Sequence, residues 1–121
     1  MHIQFAELSV SNQDRARKFY VEHFGCKVTA DEPMGGNGWR WIELGFANAD
    51  TSLHFIRRKD EAPSEQPVLV LVDADVEATV EALRAQGVHI VSEPQQAPYA
   101  PGRTVAEFRD SEGNRMVISS R

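Results

Sequence analysis

Val10-Ser11-Asn12, then Ala16, then Phe24-Gly25-Cys26-Lys27-Val28 is a pattern this chain writes twice. The second copy runs Val72-Asp73-Ala74, then Ala78, then Gln86-Gly87-Val88-His89-Ile90. Val10 and Val72, Ala16 and Ala78, and Gly25 and Gly87 are each 62 residues apart. Self-similarity at one offset marks a structural unit used twice. Each copy opens on an extended segment, Ile3–Val10 in the first and the β-branched run Val68–Val72 in the second, and such runs predict buried strands. A helix follows. Ala16, Phe19, Tyr20 and Phe24 fall on one helical face in the first copy, as do Val76, Val80 and Leu83 in the second. Ser11 and Asp73 are the expected N-caps, and Gly25 and Gly87 stand where a left-handed C′ residue ends a helix.

Three shorter extended stretches follow each helix, at about Cys26–Ala30, Gly38–Phe46 and Ser52–Arg57, then Val88–Ser92, Arg103–Arg109 and Arg115–Ser119. Turn-rich separators lie between them, such as Pro33–Gly38, Pro94–Gly102 and Asp110–Asn114. The expected architecture is α+β, two βαβββ units spanning about 1–58 and 67–121, joined by a polar linker at about 59–66 within one domain, 1–121.

Composition narrows the function classes. The chain has 121 residues, 41% apolar and 26% charged, enough for one core but not two independent ones. A formal charge of −5 argues against a nucleic-acid binder; it fits ordinary solubility first, and would also favour a cationic ligand. No apolar run is long enough to span a membrane, and no signal-peptide pattern is visible, so the cytoplasm is the expected location. The single cysteine, Cys26, reads as a buried, inert thiol.

The order βαβββ-linker-βαβββ resembles the vicinal-oxygen-chelate superfamily, the glyoxalase, bleomycin-resistance and dioxygenase-like domains. Val10–Asn12, Ala16, Phe19-Tyr20 and Gly25 look like that family's first helix, and Phe108–Asn114 looks like its late Asp-Pro-x-Gly-Asn hairpin, with Ser111 in place of proline. The resemblance covers essentially the whole chain. It implies two units forming an open, incompletely closed barrel, and a homodimer. Metal-using relatives place ligands on the first and fourth strands of each unit, where a divalent ion acts as a Lewis acid. Carried onto this sequence, those positions are Phe5, His54, Val68 and Val117. Three of the four are apolar, so the resemblance implies a member without a catalytic metal.

Glu7 lies two residues after Phe5 and so shares its strand face. Since the family's first and fourth strands are neighbours, Glu7 and His54 are expected to meet. They could bind a polar ligand, act as acid and base, hold a weak metal with a third group, or form a structural pair in a solvent-filled groove. In Trp39-Arg40-Trp41-Ile42-Glu43-Leu44, alternation puts Ile42 and Leu44 towards the helix and Trp39, Trp41 and Glu43 on the other face. There the indoles would make a platform for a planar or cationic ligand, against the plainer reading as core. Tyr99, in the separator Pro94–Gly102, is a further ligand-binding candidate if that segment is a binding loop. His2, His23 and His89 read as structural or solvated.

Two function classes follow. One is a metal-free protein of bleomycin-resistance type that binds or sequesters a small molecule, an antibiotic-resistance candidate. The other is an enzyme, either a metal-dependent glyoxalase-like lyase or isomerase or a dioxygenase-like enzyme, or, as a separate third reading, a metal-free enzyme using Glu7 and His54. Elemental analysis of protein purified without chelator is expected to find less than one tightly bound metal per chain. A stoichiometric metal would sink the metal-free reading.

Overall fold

A strand with apolar residues at every second position must bury one face, and in each half of this chain a helix provides the cover. The computed structural model describes residues 1–121 as two compact units, Met1–Glu61 and Ala62–Arg121. The first runs β1 (Phe5–Val10), α1 (Gln13–Phe24), β2 (Lys27–Pro33), β3 (Arg40–Gly45) and β4 (Ser52–Arg57). The second runs β5 (Leu69–Val72), α2 (Val76–Ala85), β6 (Ile90–Gln96), β7 (Thr104–Arg109) and β8 (Arg115–Ser119). The class is α+β, and both halves are βαβββ, as expected from the repeat. Each forms an open four-stranded sheet, ordered β1-β4-β3-β2 or β5-β8-β7-β6, and neither sheet closes on itself into a barrel. In both, the first strand pairs in parallel with the last, and the remaining pairs are antiparallel.

In the first unit Leu8, Val10, Ile42, Leu44, Leu53 and Phe55 are buried on the face that meets α1, which contributes Ala16, Phe19 and Tyr20. Burial of each large side chain stabilises by about 1.5–3 kcal/mol. Val76, Val80 and Leu83 of α2 lie buried with Ala106, Phe108, Met116 and Ile118 in the second unit. Cys26 is also buried, and burial pushes its thiol up to about 11, so little reactive thiolate exists near neutrality.

The structure shifts several expected boundaries. The N-caps are Asn12 and Asp75 rather than Ser11 and Asp73, because their side chains accept from Arg15 N and Ala78 N. Asp73 instead accepts from Asp75 N, in the turn before the helix. The caps are 63 residues apart, not 62, and the strands follow them. Leu8 and Leu71 share the helix-facing side, so Val72 lies opposite to Val10. A slip of one residue reverses every side chain of a strand. Gly25 and Gly87 do keep the 62-residue spacing and both are left-handed, with φ of 65° and 79°.

The run Val68–Val72 is not a buried strand. It forms the edge of its sheet, and Val68, Val70 and Val72 are 38%, 58% and 61% exposed. The expected separator Pro94–Gly102 is displaced, because β6 continues through Gln96 and the turn that remains is residues 97–103. That turn is closed by Ala97 N donating to Arg103 O at 2.8 Å. The late hairpin forms at Asp110–Asn114. Asp110 Oδ1 accepts from Glu112 N and Asn114 N, both at 2.9 Å. Gly113 has φ +81°, and a Cβ there would meet Pro63 Cγ at 2.9 Å, so only glycine fits without displacement.

A polar clamp fixes α1 on the first sheet. The Gln13 amide exchanges two hydrogen bonds with the Arg40 backbone, accepting from N at 2.9 Å and donating to O at 2.5 Å. Arg40 Nε donates to Asp31 Oδ1 at 2.8 Å, and Arg17 reaches Asp31 Oδ2 at 2.6 Å. The Arg40 hydrogen bond, with Arg17 assisting and burial opposing, holds the Asp31 carboxyl below the usual aspartate range. A depressed acid contributes stability above its unfolded pKa and loses it as pH falls through the folded value. Asp31→Asn is therefore expected to cost about 1 kcal/mol at neutral pH by denaturant unfolding. The difference from the parent should shrink as the pH drops below the ordinary aspartate range.

Candidate functional site

Because α1 takes one face of the first sheet, the other face is left to side chains of opposite parity: Phe5, Glu7, Trp41, Glu43, Ser52 and His54. Register sets three of them in a row across three strands. Glu7 of β1 lies opposite His54 of β4, which lies opposite Glu43 of β3. The row can do polar chemistry in a way the buried face cannot.

Within the row, His54 Nδ1 meets Glu7 Oε2 at 2.9 Å. Facing a carboxylate at that distance, Nδ1 is the nitrogen that donates, and Nε2 is left outside this contact. The His54 side chain is 10% exposed, against 52% for Glu7. The imidazole lies over the Trp41 indole with centroids 3.8 Å apart and planes inclined by 31°. Phe5 stands edge-on to Trp41 at 5.9 Å and tilted to His54 at 5.7 Å, completing a three-ring cluster. Trp41 Nε1 donates to Glu43 Oε1 at 2.7 Å, which ties the indole to the second carboxylate.

The structure thus brings Glu7, His54 and Trp41 together. Trp39 lies just ahead of β3, with the Arg57 guanidinium 5.3 Å from its ring centroid, so each indole has a partner of its own. Tyr99 belongs to the second unit, in the turn after β6, and is 68% exposed. Sequence reasoning set Glu43 on this face but missed its bond to Trp41, and it gave Phe5 no part beyond a missing ligand. The two-residue spacing of Trp41 and Glu43 is the signal that bears on the first point. His23 packs edge-on against Phe19 at 4.6 Å and belongs to the helix.

The donor set does not fit a resident divalent metal. Glu7 and His54 adjoin, but nowhere do three or more His, Cys, Asp or Glu side chains gather closely enough to hold an ion. The corresponding row of the second sheet is Val70, Val117 and Glu107.

The model of the glyoxalase/bleomycin resistance protein/dioxygenase superfamily matches residues 2–118. The chain belongs to that superfamily. Among relatives within it, the uncharacterized protein YetH of Bacillus subtilis (strain 168) is 31% identical over 111 residues, covering 90% of this chain and 89% of YetH. Among solved structures, UcmS2 superposes with a TM-score of 0.80 at 27% identity, over 98% of this chain and 97% of that one. TnmS3, an antibiotic binding protein from Streptomyces sp. CB03234, superposes with a TM-score of 0.81 at 31% identity, over 99% and 95%. No helix of this superfamily member is long and apolar enough to cross a membrane.

The ring cluster has an optical consequence. His54→Leu, made in a Trp39→Phe background so that Trp41 alone reports, is expected to raise indole emission by removing the stacked imidazole. Unchanged emission would mean that the two rings are apart in solution.

Proposed function

We propose that this chain is a small-molecule-binding protein of the bleomycin-resistance kind, which holds its ligand without a resident metal and without turning it over. The ligand lies on the helix-distal face of the first sheet. Trp41 and His54 form its ring surface, and Glu7 and Glu43 supply polar contacts. Trp39 extends the aromatic character of this unit, and Tyr99 offers an exposed ring in the second. The observation that carries the reading is the imidazole–indole stack flanked by two carboxylates, on a sheet face that the helix does not use. Preformed rings with a few fixed polar groups are the usual furniture of a small-molecule site. Similarity to an antibiotic binding protein at 31% identity points the same way, towards binding of a small molecule. We place the protein in the cytoplasm as a homodimer, in keeping with its family.

Titration with a panel of planar polycyclic aromatic antibiotics, followed by tryptophan emission, tests the proposal. Saturable quenching is expected, with the ligand recovered chemically unchanged. Trp41→Ala should weaken the tightest complex by about tenfold or more, the equivalent of one stacked ring contact. Absence of saturable binding across the panel, or conversion of a bound compound, would count against it.

A further inference from the structure

We propose that the helix-distal face of the first unit selects an organic cation attached to a flat ring, its positive group bound against Glu43 and Glu7. This rests on the reading of that face as a ligand site and gives it a chemical class.

The second unit is an internal control, because equivalent strands carry different residues on the same face. By register, Glu7, His54 and Glu43 correspond to Val70, Val117 and Glu107, and Trp41 corresponds to Val105. Only the glutamate of β3 and β7 is common to both rows. In the second unit that glutamate is neutralised within the sheet. Arg115 Nε donates to Glu107 Oε2 at 3.1 Å, and Arg115 Nη2 contacts the same oxygen. The residue of the first unit at the place of Arg115 is Ser52, two before His54 as Arg115 is two before Val117. The first unit therefore keeps the acid and lacks the arginine that closes it.

What surrounds Glu43 sharpens the deficit. Its Oε1 accepts from the Trp41 indole, which fixes the carboxylate without neutralising it, and Oε2 has no partner. Glu7 adds a second carboxylate whose Oε1 is unpaired, and its side chain is half exposed. His54 is only 7% exposed, yet Nε2 makes no hydrogen bond. No buried polar side-chain atom in the chain lacks a partner, so Nε2 reaches the surface of this face. With Nδ1 committed to Glu7, it is the ring nitrogen left free for a ligand. The face thus offers carboxylate acceptors from Glu43 and Glu7 beside an aromatic wall of Trp41, His54 and Phe5. An anion would be repelled and a neutral amide would leave the carboxylates uncompensated. An amidinium, guanidinium or protonated amine on a ring satisfies both the acceptors and the wall.

The test uses the full chain and three probes of one shape, 2-naphthamidine, 2-naphthamide and 2-naphthoate, measured by calorimetry and tryptophan emission. The amidine is expected to bind at least about tenfold tighter than the amide, with no detectable binding of the naphthoate. Added salt should weaken the amidine selectively. Ser52→Arg would build the second unit's ion pair into the first, and should abolish the preference for the amidine while circular dichroism stays unchanged. Should Ser52→Arg fold poorly, Glu43→Gln is expected to remove most of the preference by itself. Equal affinity for amide and amidine would overturn the cation assignment while leaving the face as a site for flat rings. No binding of the amidine would overturn it too, and the antibiotic panel then decides separately whether the face binds ligands at all.

Discussion

The parallel pairing of β1 with β4 sets Glu7 beside His54, and the remaining chemistry of the first unit is arranged around that contact. The chain must leave β1, form α1 and return through β2 and β3 before β4 lies against β1, so these groups, 47 residues apart, meet only in the assembled sheet. Once they meet, the carboxylate orients the imidazole, the imidazole lies on the indole, and the indole holds the second carboxylate. Each link is a short directional contact whose geometry depends on the one before. The clamp of Gln13, Arg40 and Asp31 on the other side of the sheet ties α1 to the start of β3, the strand that carries Trp41 and Glu43.

Duplication gives this architecture two sheets, and the sequence has treated their helix-distal faces differently. In the second unit the face is largely valine, with one glutamate closed by its own arginine. In the first it is rings, acids and a histidine held by one of those acids. The helix-facing sides are far more alike, apolar in both, because both must exclude water under a helix. Function can diverge on the free face at little cost to the packing that forms the fold.

Much of the fold was legible in the sequence. The helix faces, the glycine stops and the positions of β4 and β8 followed from local pattern, since capping, helical periodicity and turn chemistry act over a few residues. The single offset of 62 was legible but one residue out in the strands, since a glycine stop and an N-cap need not keep step when α2 is shorter than α1. Val68–Val72 misled for a different reason: apolar strength does not say whether a strand lies in the middle or at the edge of its sheet.

For the candidate site, sequence alone determined which residue types were available: Glu7, His54, Trp39, Trp41 and Tyr99. It also determined, through alternation, that Trp41 and Glu43 would turn away from the helix while Ile42 and Leu44 turned towards it. Only the tertiary structure decided which of these touch. It joined Glu7, His54 and Trp41, added Phe5 and Glu43, gave Trp39 to Arg57, and set Tyr99 in the other unit. Facing direction is a property of one strand and can be read from its own alternation. Contact is a property of the register between strands, which the whole sheet fixes at once.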